Sequence, residues 1–268
     1  MTFKELQNKI KKEKPLIHAI TNPISINQCA NTAISLGAMP IMAEHPGEVQ
    51  EITRTARALL LNLGNITDVR MQSMLLSSKV AGKENIPIII DAVGAACSTL
   101  RYNFLSGILK DISPTLIKGN YSEIYALDNT AYRSHGVNAQ PNLCAEIVGK
   151  SAVNLAKKHR SFVLATGKTD IITDGKRMFY IHNGHPRLSS VTGTGCMLGM
   201  LCSVFLSVHT DIQAVCMATA VMGICGEQAS CCKGNGSFMT GLMDNLSLLT
   251  DIDFENAVRM EEVTIEKI

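Results

Sequence analysis

Short apolar runs alternate with amphipathic stretches along most of the chain. Compact runs rich in Ile, Leu and Val, bounded by Gly, Pro or polar residues, are typical of buried strands. They predict strands at residues 15–21, 39–42, 58–63, 87–91, 115–118 and 162–167. Apolar residues three or four positions apart indicate helices. They predict helices at 1–14, 49–56, 69–80, 102–109, 144–159, 198–206, 211–233 and 238–250, and one that follows a polar turn at 22–28 and ends at Gly37.

This alternation of strands and helices predicts the α/β class. Strands that alternate with helices form a mainly parallel central sheet with helices on both faces. Residues 171–173 and 177–181, joined by the Asp174-Gly175 turn, are the exception and predict an antiparallel hairpin. Because the sequence has no internal repeat or linker, we expect a single domain over residues 1–268.

Two glycines, Gly193 and Gly195, lie between an expected extended segment and the apolar helix at 198–206. A glycine-rich turn that opens a helix presents backbone N–H groups and the positive end of the helix dipole, where phosphate commonly binds. An ordinary strand-to-helix turn would have the same glycines. Other parts of the chain have to distinguish these two interpretations.

Polar side chains cluster at the ends of the predicted strands, where ligands bind in parallel α/β sheets. The residues expected there are Asn22, Met42, Asp91, Lys118, Asn120, Glu123, Thr166 and the turn at 193–196. Carboxylates beside a phosphate site suit Mg²⁺, and a lysine can neutralise phosphate charge. Structural interpretations exist as well: Asp91 could cap a helix, Glu123 could be an exposed first-turn acid, and Lys118 could be a surface charge.

Composition narrows the class of protein. The 268 residues are 46% hydrophobic and 18% charged, which excludes a disordered chain. A net charge of +2 without long basic clusters argues against nucleic-acid binding. No run of 18 apolar residues and no signal-peptide core occur, so we expect no membrane span. Nine cysteines without a Cys-x-x-Cys pair indicate a reducing cytoplasm rather than disulfides or a zinc site.

Several segments together resemble the hydroxyethylthiazole kinase family of the ribokinase-like superfamily. They lie at residues 18–22 (HAITN), 38–43 (AMPIMA), 61–64 (LNLG), 91–94 (DAVG), 118–120 (KGN) with Glu123, 166–170 (TGKTD), 173–175 (TDG) and 192–199 (TGTGCMLG). The glycine turn alone would indicate only the superfamily. The Gly-Thr-Gly-Cys sequence together with Asn22-Pro23 distinguishes the family.

The resemblance implies ATP-dependent phosphorylation of the primary alcohol of 4-methyl-5-(2-hydroxyethyl)thiazole, for thiamine biosynthesis or salvage. The residues it implies are Asn22, Met42 and the Gly193 backbone for the thiazole, Lys118, Asn120 and Thr166 for ATP, Asp91 and Glu123 for Mg²⁺ (directly or through water), and Gly193, Gly195 and Cys196 for phosphoryl transfer. It also implies a homotrimer with active sites between subunits.

Three features depart from the family pattern. Lys118 stands where Arg is more often expected, and lysine lacks the bidentate fork of arginine. Tyr121-Ser122 replaces an expected pair of small residues before Glu123. The polar segment at 130–140, predicted as a loop, has no assignable family counterpart.

Cys196 stands where many ribokinase-like enzymes have an aspartate that accepts the proton of the substrate hydroxyl. A thiol at a helix N-terminus ionises more readily than a free one. We hypothesise that Cys196 lies against the hydroxyethyl group and either assists the transfer or only positions the alcohol. A strong base is not essential, because the transition state of phosphoryl transfer is loose.

Three other functions stay open on the sequence alone. Cys196 could be the nucleophile of a thiol hydrolase with His182 or His185 as its base, and the two histidines could also begin a metal site. The fold could serve nucleotide sensing or assembly without catalysis. A kinase for hydroxymethylpyrimidine or pyridoxal would use the same fold and phosphate chemistry, although Cys196 and Asn22-Pro23 favour the thiazole.

Overall fold

The computed structural model describes residues 1–132, 134 and 143–265. The helices are α1 (Phe3–Glu13), α2 (Ile26–Ser35), α3 (Val49–Thr55), α4 (Asp68–Lys83), α5 (Thr99–Asp111), α6 (Tyr121–Asp128), α7 (Ala145–His159), α8 (Arg187–Ser190), α9 (Thr194–Val208), α10 (Ile212–Gln228), α11 (Asn235–Leu248) and α12 (Asp251–Ala257). The strands are β1 (Leu16–Ile20), β2 (Met39–Ile41), β3 (Ala58–Asn62), β4 (Ile88–Asp91), β5 (Leu116–Asn120), β6 (Phe162–Thr166), β7 (Asp170–Thr173), β8 (Met178–Ile181) and β9 (Met260–Val263).

These strands form one nine-stranded sheet in the order β2-β1-β3-β4-β5-β6-β7-β8-β9. The pairs from β2 to β6 are parallel, and the pairs from β6 to β9 are antiparallel. Parallel neighbours need long crossover connections, which the intervening helices supply. The expected mostly parallel α/β sheet is confirmed, and β7 and β8 form the expected hairpin.

Apolar side chains fill both faces of the sheet. Successive strand residues point to opposite faces, so Leu59 and Leu60 on β3 belong to two different cores. The first core packs the sheet against α1, α2, α9, α10 and α11. The second packs it against α4, α5, α6 and α7. Burial on both faces explains why β3 is a continuous apolar run rather than an alternating one.

The structure departs from the predicted elements in four places. α6 (Tyr121–Asp128) was absent from the predicted helices, although Glu123 was considered as a first-turn acid. α12 and β9 were not predicted, because a seven-residue helix and a strand with two consecutive glutamates show no apolar periodicity. The segment expected to be extended before the glycine turn is the short helix α8, and only Val191 is extended. The helix expected at 211–233 ends at Gln228 and continues as a 3₁₀ turn, Ala229–Cys231. Most of the predicted loop at 130–140 lies outside the described residues.

One helical stretch, Ile212–Cys231, is long and apolar enough to cross a membrane by length and composition. However, 78% of its apolar window is buried inside the protein, where α10 packs against α9 and α11. Core helices commonly meet the same two criteria. The apolar character of α10 is therefore explained by its central place in the first core.

Candidate functional site

The parallel strands end side by side at one edge of the sheet, where the site residues meet. The register pairs Asn62 at the end of β3 with Asp91 at the end of β4, and Asp91 with Lys118 on β5. The next pair joins Asn120 on β5 to Thr166 on β6. α9 packs across β1, β3 and β4, so its N-terminus reaches the same edge.

Asp91 and Lys118 form a buried ion pair at this edge. Lys118 Nζ donates to Asp91 Oδ1 at 3.0 Å, and the two side chains are 4% and 0% exposed. Burial, the largest single influence, lowers the pKa of Lys118, but the charge of Asp91, its hydrogen bond, and the nearby Cys196 and Glu123 together outweigh burial and raise that pKa. Lys118 therefore stays charged, and the alternative of a solvated surface lysine is wrong. Asp91 bonds to Lys118 and Asn62 rather than to a helix N-terminus.

Two side-chain amides hold the Cys196 sulfur. Asn22 Nδ2 lies 3.4 Å from Cys196 Sγ, and Asn62 Nδ2 lies 3.3 Å from it. Asn62 Nδ2 also donates to Asp91 Oδ2 at 2.9 Å, and Asn62 Oδ1 accepts from Asn22 Nδ2 at 3.0 Å. A continuous network therefore runs from Asn22 through Asn62 to the ion pair. Asn62 lies in the LNLG segment at 61–64 that resembles the family, but no role was predicted for it, because an amide at the end of an apolar strand does not by itself indicate a chemical function.

The glycine turn opens α9 next to this network. Gly193 has φ +98°, which strains any residue with a side chain. The first bond within the helix runs from Met197 N to Gly193 O, so the preceding N–H groups have no partner inside the helix. A Cβ added to Gly195 would lie 3.8 Å from Lys118 Nζ. The N-terminus of α9 and a buried ammonium thus lie close to each other, as an anion site requires.

Glu123 is held by the start of α6. Its Oε1 accepts from Gly94 N at 2.7 Å and its Oε2 from Asn120 N at 2.8 Å, while Asn120 Oδ1 accepts from Glu123 N at 2.9 Å. Burial raises the pKa of Glu123 to about 7, and the two backbone donors only partly oppose it. Glu123 is thus an acid of the first helical turn and takes part in the capping of α6. The alternative of an exposed acid is wrong, because its side chain is buried, with 4% exposure.

The turn between β6 and β7 lies beside α6. Thr166 Oγ1 donates to Gly119 O at 3.3 Å, and Gly167 N donates to Asp170 Oδ1 at 2.9 Å. Tyr121 Oη donates to Thr169 O at 2.5 Å. Burial raises the pKa of Asp170 to about 7. This turn holds the predicted Thr166 close to the end of β5, which carries Asn120.

Met42 follows β2 and is half-buried against the first core. The segment after it is fixed by two contacts: His18 Nε2 lies 2.9 Å from Ala43 O, and Arg70 Nε donates to Glu44 Oε2 at 2.7 Å. Burial lowers the pKa of His18. The described contacts of Met42 are apolar and belong to the first core, so they do not join it to the Asn22–Cys196 network.

Comparison with known proteins agrees with this geometry. The model of the hydroxyethylthiazole kinase family matches residues 7–251. Hydroxyethylthiazole kinase 2 of Clostridium botulinum (strain Hall) is 43% identical over 255 residues, which cover 92% of this chain and 95% of that protein. The chain belongs to the hydroxyethylthiazole kinase family.

Solved structures agree with this assignment. The hydroxyethylthiazole kinase structure from Pyrococcus horikoshii OT3 is 31% identical, with a TM-score of 0.88, over 97% of this chain and 98% of that one. The pyridoxal kinase of Staphylococcus aureus, solved with AMP-PCP and pyridoxal, is 12% identical, with a TM-score of 0.64, over 93% of this chain and 99% of that one. The second likeness shows the fold alone, which is the expected ribokinase-like one.

The two histidines considered for a hydrolase or a metal site have other contacts. His182 Nε2 lies 3.5 Å from Glu261 Oε2, and His185 Nδ1 accepts from Arg187 N at 3.3 Å. The described hydrogen bonds of the Cys196 side chain go to Asn22 and Asn62, not to a histidine. Within the described part of the chain, no three His, Cys, Asp or Glu side chains form a metal-binding group.

The two carboxylates fit Mg²⁺ held through water better than direct coordination. Asp91 is fully buried, and Lys118 Nζ already occupies the position beside its Oδ1. Both oxygens of Glu123 accept backbone N–H groups. Mg²⁺ keeps several waters and binds phosphate oxygens together with one or two carboxylates. Asp91 and Glu123 would therefore hold the hydrated ion on the phosphate side of the site.

Proposed function

We propose that this chain transfers the γ-phosphoryl group of ATP to the primary alcohol of hydroxyethylthiazole. The observation that carries the proposal is the position of the α9 glycine turn beside the buried Asp91–Lys118 pair. Donors that are fixed before the reaction stabilise the charge of a transferring phosphoryl group, at no cost of reorganisation. The N–H groups of the turn and the ammonium of Lys118 are such donors.

The acceptor alcohol would bind on the Asn22 side of the network. Asn22 contacts Cys196, and a Cβ added to Gly193 would meet Ser25, three residues after Asn22, at 3.4 Å. The Gly193 backbone and Asn22 would therefore face the substrate together. Met42 would supply an adaptable thioether wall for the flat heterocycle. In this arrangement the hydroxyethyl group reaches Cys196, which positions it for in-line attack.

ATP would bind on the side of β5 and β6. Lys118 would contact the phosphates as a point charge, while Asn120 and Thr166 lie on neighbouring strands at the same edge. The hydrated Mg²⁺ held by Asp91 and Glu123 would neutralise the charge that develops on the phosphate oxygens. The backbone of the Gly193–Gly195 turn would hold the group during transfer.

An ADP-release assay with three alcohols tests this proposal directly. We expect turnover with hydroxyethylthiazole, and a kcat/KM for it at least about tenfold above the values for hydroxymethylpyrimidine and pyridoxal. Asp91→Asn should remove most of the activity, whereas Asp68→Asn, at an exposed position on α4, should not. A preference for either rival alcohol would contradict the substrate, and thiazole-independent ATP hydrolysis alone would contradict the transfer.

The quaternary structure and the compartment are parts of the same proposal. The whole chain would act as one kinase domain in a cytoplasmic homotrimer with active sites between subunits. Exposed apolar side chains around α2 and β2 (Ile24, Ile34 and Met39) support such a contact, and nine free cysteines suit a reducing compartment. Light scattering should give three times the chain mass, and a fully active monomer would contradict the shared sites.

A further inference from the structure

Asn62 occupies the centre of the hydrogen-bond network and is completely buried. Its side chain contacts a residue from each of the two halves of the proposed site: Cys196 and Asn22 on the acceptor side, and Asp91 on the phosphate side. It stands at the last position of β3. None of the roles proposed above uses it.

The orientation of the Asn62 amide is determined by its neighbours. Oδ1 accepts from Gly64 N at 2.9 Å and from Asn22 Nδ2 at 3.0 Å. Gly64 N is a backbone donor, so the group facing it must be the oxygen. The nitrogen therefore faces the Asp91 carboxylate and the Cys196 sulfur, and donates to both.

The close packing around Gly64 is independent evidence that the two amides fill the space beside it. A Cβ added to Gly64 would lie 2.9 Å from Asn62 Oδ1 and 2.9 Å from Asn22 Nδ2. Such a separation is too short for an ordinary contact, so any side chain at position 64 displaces one of the amides. Gly64 has φ outside the left-handed region, and the close approach of the amides is therefore the reason that a side chain does not fit.

We propose that Asn62 is a positioning residue that sets the distance between the Cys196 sulfur and the Asp91 carboxylate. One planar amide donates to both groups. Either group can therefore move away from the other only by breaking its hydrogen bond to the amide. The alcohol held by Cys196 and the phosphate held near Asp91 and Lys118 are thereby kept in line. This inference rests on the proposed kinase function, because it assigns the alcohol and the phosphate to those two sides.

Asn62→Asp tests the proposal with a nearly unchanged shape. The ionised carboxyl still accepts from Gly64 N and Asn22 Nδ2 but gives no donor to Asp91 or Cys196. Because the neighbouring Asp91 carboxylate favours the protonated form, kcat is compared at alkaline pH. We expect kcat to fall by about 10²-fold while the KM values for ATP and the alcohol change less than about threefold, because misplacement of reacting groups acts on kcat. The matched control is Asn31→Asp at an exposed position on α2, which should keep full kcat.

The split between kcat and KM separates positioning from general damage. A positioning role predicts a loss of kcat with little change in either KM. An increase in KM with unchanged kcat would overturn the proposal.

Gly64→Ala repeats the test without touching Asn62, and Gly107→Ala, where a Cβ meets nothing within 4 Å, is its control. The loss of kcat should appear in Gly64→Ala only. A readout that needs no turnover is the iodoacetamide alkylation rate of Cys196, followed by peptide mass spectrometry with the exposed Cys97 as an internal reference. It should change at least about threefold in Asn62→Asp if the amide restrains the sulfur.

These measurements distinguish the two levels of inference. If the parent protein does not phosphorylate hydroxyethylthiazole, the proposed function fails, and the alkylation rate still decides whether Asn62 restrains Cys196. If the parent is active but Asn62→Asp and Gly64→Ala keep their kcat, the function stands and the positioning role is overturned. An unchanged alkylation rate in both variants overturns it as well.

Discussion

At the scale of single residues, the contacts of Cys196 bear on the role of its sulfur. The amides of Asn22 and Asn62 both donate toward it and fix its position. They do not exclude a base, because a thiolate has three lone pairs and would keep one for the proton of the alcohol. The loose transition state of phosphoryl transfer does not require a strong base, so we propose that Cys196 mainly positions the alcohol.

Cys196→Ala should consequently cost little. We expect kcat to fall by less than about 10²-fold, the lower limit of a typical general-base contribution. Steady-state kinetics with the thiazole alcohol measure this, and Cys97→Ala, at an exposed cysteine, serves as the control. A loss of about 10³-fold or more would assign the sulfur the role of base.

The residues of the site differed in how visible they were in the sequence. Asp91, Glu123 and Lys118 could be predicted as one group, because they lie at or just after the carboxyl ends of parallel strands, where ligands bind. Asn62 lay in a segment that resembles the family, but its role was not predicted, because its importance depends on which groups lie around it in space. The same holds for the burial of Lys118, which no local pattern reveals.

At the scale of elements, the start of α6 supports the proposed ATP side. A Cβ on Gly167 would overlap the Tyr121 ring, at 2.5 Å from Cε1, and Tyr121 Oη donates to Thr169 O. The turn after β6 thus rests on the first residue of α6. The sequence comparison flagged Tyr121 as a departure from the family pattern, and its position explains what a large residue does there.

Tyr121→Phe should loosen this turn while preserving the ring contact. A single lost hydrogen bond is worth about 1 kcal/mol, so the KM for ATP should rise by roughly fivefold. The KM for the alcohol and kcat should change little, because the Asn22–Cys196 side is untouched. Tyr180→Phe on β8 is a matched control. Equal increases in both KM values would contradict a role confined to the nucleotide side.

Elements were predictable where their pattern was long enough. The first helix, the six parallel strands and the hairpin were all recognised, because each had apolar residues at a definite period or a diagnostic turn. The elements that were missed are short: α6, α8, α12 and β9 have eight, four, seven and four residues. Short elements are selected by the tertiary contacts available to them, which a single sequence does not display.

At the scale of the whole molecule, the sheet gathers buried acids at one edge. The alternation of strands and helices predicted a mainly parallel sheet. It did not predict the strand order or how deeply the side chains at the edge are buried, because both depend on how the helices cross over the two faces. The consequence is energetic. Burial raises the pKa of Glu123 from 4.5 to about 7, so the site carries a pH-dependent cost that sequence alone did not indicate.

This cost predicts how stability depends on pH. A carboxyl whose pKa is higher in the native than in the unfolded state binds its proton more tightly when folded, so its stabilising contribution is complete below pH 4.5 and is lost as the pH rises through about 7. The slope contributed by one such group reaches about 1.4 kcal/mol per pH unit. Asp170, which is half-buried, adds its own contribution in the same window.

Glu123→Gln should remove the contribution of Glu123 to the pH dependence of stability and leave the contribution of Asp170. The amide cannot titrate, and its oxygen still accepts one of the two backbone donors, so the variant should fold with a lower overall stability. Urea unfolding at intervals from pH 4.5 to about 7 should show a flatter decline in the free energy of unfolding than in the parent. Above this range the free energies of unfolding of the two proteins should change with pH in parallel, because Glu123 of the parent is then ionised in both the native and the unfolded state. An unchanged slope in the variant would mean that Glu123 is not protonated in the native state near neutral pH, and the site would then carry a full carboxylate toward the nucleotide.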